Sequence, residues 1–191
     1  MPPPVLILIT GLPCTGKTTL AYWIAAEFRL PLVYKDGIKE ILFDELGWSD
    51  RKWSKQLSNA SFSLLYYFLE AQLSAGRSAI VEGNFNAERD QAKLLSLRNT
   101  YGFEPFQIHC VADEKTLLQR YMRRYEMGER HPGHVDPLAY EEFKSILLKG
   151  RPAPLSIRGS LYEVDTTRFD QIDHGRLCAA IREVMEGTAG E

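Results

Sequence analysis

Val5-Leu6-Ile7-Leu8-Ile9-Thr10-Gly11-Leu12-Pro13-Cys14-Thr15-Gly16-Lys17-Thr18-Thr19 decides the fold of this 191-residue chain. Val5 to Ile9 is an unbroken run of β-branched residues and leucine, as in a strand buried on both faces, which belongs to a parallel sheet. It runs straight into G-x-x-x-x-G-K-[ST], matched from Gly11 to Thr18, and a helical period starts at Lys17. Gly11 and Gly16 let the backbone curl until successive N–H groups face inward, an anion nest at the positive end of a helix. The stretch Gly11, Leu12, Pro13, Cys14, Thr15, Gly16, Lys17, Thr18 and Thr19 therefore reads as a nucleotide-phosphate cradle. Lys17 is expected to reach the β- and γ-phosphates, and Thr18 to offer its hydroxyl to Mg²⁺. Cys14 reads as a small residue at a variable position rather than a reactive thiol.

Outward from this stretch, apolar runs recur at Pro31–Tyr34, Ser78–Glu82, Phe106–Val111 and Ser160–Val164. Helical periods cover Lys17–Arg29, Asp50–Ala75, Ala87–Tyr101, Asp113–Glu126, Pro137–Lys149 and Asp170–Met185. Gly76 follows the second as a helix-stop residue. Alternating strand and helix imply βαβ units: an α/β fold with five parallel strands and helices on both faces. The spacing predicts one domain over residues 1–191, interrupted by the polar segment 123–137, a lid-length loop rich in Arg, His, Gly and Pro.

With 45% hydrophobic and 25% charged residues, the composition is that of an ordinary globular chain. A net charge of −2 gives no basic surplus for gripping long nucleic acid. The three cysteines have no metal-binding spacing, so reduced thiols in a cytoplasmic protein are expected. No apolar run is long enough to span a bilayer, and no basic region precedes the first one as in a signal peptide.

With these elements in place, the whole chain resembles the small P-loop kinases. Within them it resembles the zeta-toxin-like group, with chloramphenicol phosphotransferase, gluconate kinase and the kinase domain of polynucleotide kinase, and more loosely the nucleoside monophosphate and shikimate kinases. The resemblance implies a three-layer P-loop NTPase fold with strand order 2-3-1-4-5, a mobile lid, and the use of ATP and Mg²⁺. Tyr34-Lys35-Asp36, after the second strand, sits where ligands of open α/β sheets bind. By resemblance, Asp36 takes or orients the proton of the attacking hydroxyl, with Lys39 near the transferred group; Lys35, Asp36 and Lys39 are expected to contact the substrate. Read from its neighbours alone, Asp36 before Gly37-Ile38-Lys39 is equally a helix cap.

Val81-Glu82-Gly83-Asn84 ends a strand beside the cradle. Glu82 reads as a metal-shell or second proton-handling residue and Asn84 as a substrate contact, against a merely solvated strand end. Four arginines (Arg120, Arg123, Arg124 and Arg130) suit a phosphate clamp, and a basic face pairing with Glu126 and Glu129 accounts for some of them. The resemblance assigns Arg120 to the adenine and Arg124 to the phosphates; Arg124 and Arg130 are expected to act in catalysis and Arg123 to contact the substrate. His131 and His134 read as lid contacts or turn chemistry rather than a metal site. Val164-Asp165-Thr166-Thr167 borders the adenine by resemblance, through Thr166, and equally reads as a helix start. Trp48 and Trp53 flank Ser49-Asp50 as a staple or as acceptor-pocket walls.

These readings converge on a kinase moving the γ-phosphoryl of ATP to a hydroxyl of a small-molecule acceptor. A polynucleotide 5′-hydroxyl kinase is the alternative, and nucleic acid is not the favoured partner. A nucleoside monophosphate kinase ranks lower, because Arg51 is the only arginine between Ile38 and Phe68. A nucleotide-dependent switch ATPase is the reading from another class.

Overall fold

The structure, a computed structural model, describes residues 3–128, 130–134, 136–148 and 151–187, without the side chains of 136–139. β1 (Val5–Gly11) is buried at every position and lies at the centre of the sheet. Apolar side chains on both of its faces leave it no other stable place. It pairs in parallel with β3 (Ala79–Glu82) on one side and β4 (Glu104–Val111) on the other. β2 (Leu32–Tyr34) and β5 (Ser160–Asp165) are the edges, so the order is β2-β3-β1-β4-β5, as expected.

Helices cover both faces. Val5, Ile7 and Ile9 pack with α1 (Lys17–Phe28) and α7 (His174–Gly187), through Leu20, Ile24, Leu177 and Ile181. Leu6 and Leu8 face α3 (Arg51–Ser74) and α4 (Ala92–Tyr101), where Phe62, Leu65, Leu69 and Leu94 close the second core. A third cluster joins α5 (Glu114–Glu126) to α6 (Asp136–Leu148) through Leu117, Tyr121, Phe143 and Leu147.

Helix ends follow local chemistry. Asp50 caps α3 by accepting from the Trp53 backbone at 2.8 Å, while the Trp53 indole donates to the Gly47 carbonyl. Trp48 instead meets His131 edge-on at 6.4 Å. At the far end, Gly76 adopts φ +65, and Gly76 and Arg77 donate to the Leu73 and Gln72 carbonyls, which stops the helix.

Apart from shifts of a residue or two at strand ends, three segments differ from the sequence expectation. Residues 87–91 form a wider π-turn before α4, because the fully buried Asp90 accepts from the Asn86 backbone and the Tyr66 hydroxyl. The last helix starts at His174 rather than Asp170. Phe169–Gln171 is a separate 3₁₀ turn, and Asp173 accepts from the Arg176 backbone in the manner of a cap. In the lid segment, Arg123 and Arg124 are still helical, since α5 runs to Glu126, and a 3₁₀ turn at Pro132–His134 precedes α6. Glu129 and Lys149 lie outside the described residues.

Candidate active site

The phosphate loop requires its glycines. Gly11 has φ +145, and any Cβ there would collide with the Cys110 carbonyl. Gly16 has φ +77, and a Cβ would meet the Phe169 ring at 2.8 Å. Cys14 is left-handed at φ +68 despite its side chain, and its carbonyl accepts from Arg120 Nη1 at 3.3 Å. Thr15 Oγ1 and Lys17 Nζ both donate to the Leu12 carbonyl, at 2.9 and 2.8 Å, and draw the loop around itself. α1 starts at Lys17, so its N-terminal dipole and Lys17 act on the same point.

A cavity of about 370 Å³ opens beside the loop. Along its wall Thr18 Oγ1 donates to Glu82 Oε2 at 2.7 Å. Glu82 ends β3 next to Ile9 of β1, and is 5% exposed. Burial raises its pKa, against the pull of the Lys17 charge and the Thr18 hydrogen bond. One hydroxyl and one buried carboxylate, both oxygen donors, fit Mg²⁺, which takes few protein ligands and completes its shell with phosphate and water.

α2 (Lys35–Leu46) brings Asp36 to the same cavity. Asp36 does not cap α2, contrary to the helix-cap alternative. Tyr34 is the cap residue, and Asp36 lies within the first turn, where a negative charge suits the dipole. Its carboxylate accepts from Lys35 Nζ at 2.9 Å on Oδ1 and from Arg130 Nη2 at 2.6 Å on Oδ2. Burial opposes ionisation, but the charges of Lys35 and Arg130, with the Lys35 hydrogen bond, outweigh it and hold Asp36 well below the usual carboxylate range.

The lid segment is docked on α2. His131 bonds Asp44 at 3.1 Å and stacks on Phe43; His134 bonds Glu40 at 2.9 Å. Gly133 lies so close to Phe43 that a Cβ would come within 2.6 Å of the ring. Both histidines therefore act as lid contacts.

Among the arginines, Arg124 faces the cavity, and its Nε and Nη2 are buried with no hydrogen-bond partner among the described residues. Arg130 and Asn84 also line the cavity. Arg120 instead ties the Cys14 carbonyl to the Thr166 and Thr167 carbonyls, at 2.6 and 3.3 Å for the latter two. Thr166 is fully buried and spends its hydroxyl on the Val111 carbonyl at 2.9 Å, so its side chain does not face the cavity. Arg123 is exposed, donates to Met127 Sδ and does not line the cavity.

Arg51, Lys55 and Glu142 also line the cavity; the sequence pointed to Arg51 only as a lone arginine and to neither Lys55 nor Glu142. Arg51 donates to Glu142 Oε2 at 3.0 and 2.7 Å, and Lys55 reaches Glu142 Oε1 at 3.2 Å. The i, i+4 spacing of Arg51 and Lys55 was the available signal. Their carboxylate lies 91 residues away in sequence from Arg51.

A protein from Chloroflexus aurantiacus J-10-fl, itself only inferred to be a kinase, matches in crystal structure with a TM-score of 0.90 and 40% identity. The match covers 95% of this chain and 98% of that one. The adenosine 5′-phosphosulfate (APS) kinase of Mycobacterium tuberculosis, solved with AMPPNP and APS, shares the fold at TM-score 0.54 and 13% identity, over 97% of this chain and 99% of that one. A UPF0200 protein of Aeropyrum pernix is 28% identical over 134 residues, 65% of this chain and 67% of that protein. No helix among the described residues is long and apolar enough to cross a membrane. The AAA domain family AAA_33 matches over residues 6–145, which is most of the chain and includes the phosphate loop, Asp36, Glu82 and the arginines of α5, and the chain belongs to that family.

Proposed function

We propose that this chain is an ATP-dependent phosphotransferase that moves the γ-phosphoryl group to a hydroxyl of a small-molecule acceptor. The observation that carries this reading is Asp36, an ionised carboxylate held by Lys35 and Arg130 in the cavity that Lys17, Thr18 and Glu82 also line. The 40% identity to the Chloroflexus protein supports it. Membership of the zeta-toxin-like group is part of the proposal.

Lys17 and the loop N–H groups hold the donor's β- and γ-phosphates. Arg124, with two buried unpaired donor atoms facing the cavity, takes γ-phosphoryl charge as it develops. Thr18 and Glu82 would hold Mg²⁺, which when bound neutralises phosphate oxygens. The acceptor oxygen forms a bond to Pγ while the bond from Pγ to the β–γ bridging oxygen breaks, and that electron pair leaves with ADP. The hydroxyl proton passes to Asp36. A carboxylate this acidic is a weak base, so it orients the hydroxyl first and accepts the proton late. That timing suits a loose phosphoryl transition state. His131 and His134, bonded to Asp44 and Glu40, hold Arg130 over Asp36 and keep water from competing as the nucleophile.

The test is a γ-labelled ATP screen across hydroxyl acceptors, with Lys17→Ala and Asp36→Asn as controls. Label transfer is expected to depend on acceptor. It should vanish in Lys17→Ala, and fall by about 100-fold or more in Asp36→Asn with nucleotide affinity retained. Hydrolysis at one rate with and without every acceptor would favour the switch ATPase instead.

A further inference from the structure

Seven cationic side chains line the cavity against three carboxylates. The donor triphosphate accounts for Lys17 and Arg124 at one end, and Lys35 and Arg130 are engaged with Asp36. Lys39, Arg51 and Lys55 remain, where α2, α3 and α6 wall the cavity. Lys39 is 3% exposed, its Nζ donates to Ser54 Oγ at 2.9 Å, and it lies 5.1 Å from the centre of the Phe43 ring. Among the described residues no carboxylate comes within ion-pair distance of it. Arg51 and Lys55 share one carboxylate, Glu142.

A basic helix face in solvent would explain exposed lysines, not one buried against a hydroxyl and an aromatic ring. Uncompensated burial of charge is unfavourable. Burial, with the nearby charges of Lys35, Arg130 and Arg51, pushes Lys39 down to about 7 although Asp36 pulls the other way. A counter-charge is lacking, and a bound ligand is its natural source. Glu142 shows the kind of group the two neighbouring cations take, one carboxylate set across both.

We propose that the acceptor is itself an anion: a small hydroxyl compound bearing a phosphate, sulfate or carboxylate group, seated on Lys39, Arg51 and Lys55 while its hydroxyl meets Asp36. This rests on the phosphotransferase reading. The seat is small, because Glu142, Phe143 and Ile146 of α6 wall it and about 370 Å³ serves donor phosphates and acceptor together. A metabolite fits that space better than a nucleic-acid end. It also revises the weight given to a lone Arg51 in the sequence, because lysines from two helices complete the cationic set.

Two measurements test the proposal. The first is calorimetric titration of inorganic sulfate into protein saturated with a non-hydrolysable ATP analogue and Mg²⁺, wild type against Lys39→Met and Arg51→Gln. Saturable binding is expected in the wild type, weakened about tenfold or more in each variant, with the analogue's affinity held within about twofold. The second is labelled transfer to matched acceptors: glucose, gluconate and glucose 6-phosphate, a nucleoside and its monophosphate, and a 5′-hydroxyl oligonucleotide. An anionic member should exceed its neutral twin by about 100-fold in kcat/KM. Neutral twins turned over equally well, or no saturable sulfate binding, would overturn the anion seat. Preference for the oligonucleotide over every small anion would overturn the small-molecule assignment. Lys39-dependent sulfate binding with no transfer to any acceptor would support the seat and count against the phosphotransferase reading instead.

Discussion

Arg130 Nη2 and Asp36 Oδ2 stand 2.6 Å apart although 94 residues separate them in sequence. This pair joins the segment after α5 to the helix that carries the candidate base. It also ties that segment to the charge state of the site, since Arg130 is among the groups that keep Asp36 ionised.

Arg130→Ala should therefore do more than loosen the lid. Loss of a charge-assisted hydrogen bond costs about 1.5–3 kcal/mol, so kcat/KM should fall roughly 10- to 100-fold. With one of its lowering charges gone, Asp36 should titrate higher and the acid limb of the pH–rate profile should move up. A drop in rate with an unmoved acid limb would deny Arg130 this electrostatic role.

Gly133→Ala tests the docking itself. The added methyl would stand 2.6 Å from the Phe43 ring, in a packed contact with His131 and His134 on the same ring. Overpacking of this kind costs about 1–3 kcal/mol, read as a fall of several degrees in Tm. Phe43→Leu should mask part of that cost, so a double-mutant cycle should give non-additive values.

Lid docking should weaken in mild acid. Burial lowers the His134 pKa below its ordinary 6.5, although the Glu40 hydrogen bond and Asp36 pull it up and Arg130 and Lys39 push it down. Below pH 6.5 the unfolded chain therefore binds a proton that the folded His134 resists, and stability falls as pH drops. Glu40, lowered chiefly by its bond to His134, adds a second loss below its ordinary 4.5. Thermal melts from pH 8 to 4 should show a slope starting near 6.5 that flattens in His134→Gln.

Lys39→Met should stabilise the protein by about 1 kcal/mol or more while impairing acceptor binding, because it removes a buried charge with incomplete compensation. Lys39 drops from an ordinary 10.5 to about 7, so from pH 7 to 10.5 the unfolded chain carries a proton the folded chain has lost. The Lys39 contribution to stability thus rises with pH across that window. Acceptor affinity should move the opposite way, weakening above pH 7 as Lys39 loses its charge beside Lys35, Asp36, Arg130 and Arg51. Wild type and Lys39→Met melts, with acceptor KM followed over pH 6–9, check both halves.

The stretch Val5–Thr19 was legible because its information is local. A run apolar on both faces has to lie inside a sheet, and two glycines with a lysine at a helix start can form the nest without help from distant chain. Strand order followed from the resemblance that this stretch opened. Asp36 and Glu82 were findable as polar residues at strand ends. Whether Asp36 caps α2 was not legible, since it depended on where α2 began, and neither was its pairing with a guanidinium 94 residues away. The bonds that Thr166 and Arg120 make were not legible either: the Thr166 hydroxyl goes to the Val111 carbonyl, and Arg120 spans three carbonyls of two loops.

The sequence by itself determined the phosphate loop, the α/β layering and the charges available to the site, because each is written in neighbouring residues and their period. Only the tertiary structure decided which charges meet. Lys39 is buried without a carboxylate, Arg51 and Lys55 converge on Glu142, and Arg130 closes on Asp36, because α2, α3 and α6 pack around one cavity. Side-chain partnership across that packing is set by distance in space, which no local pattern of residues encodes.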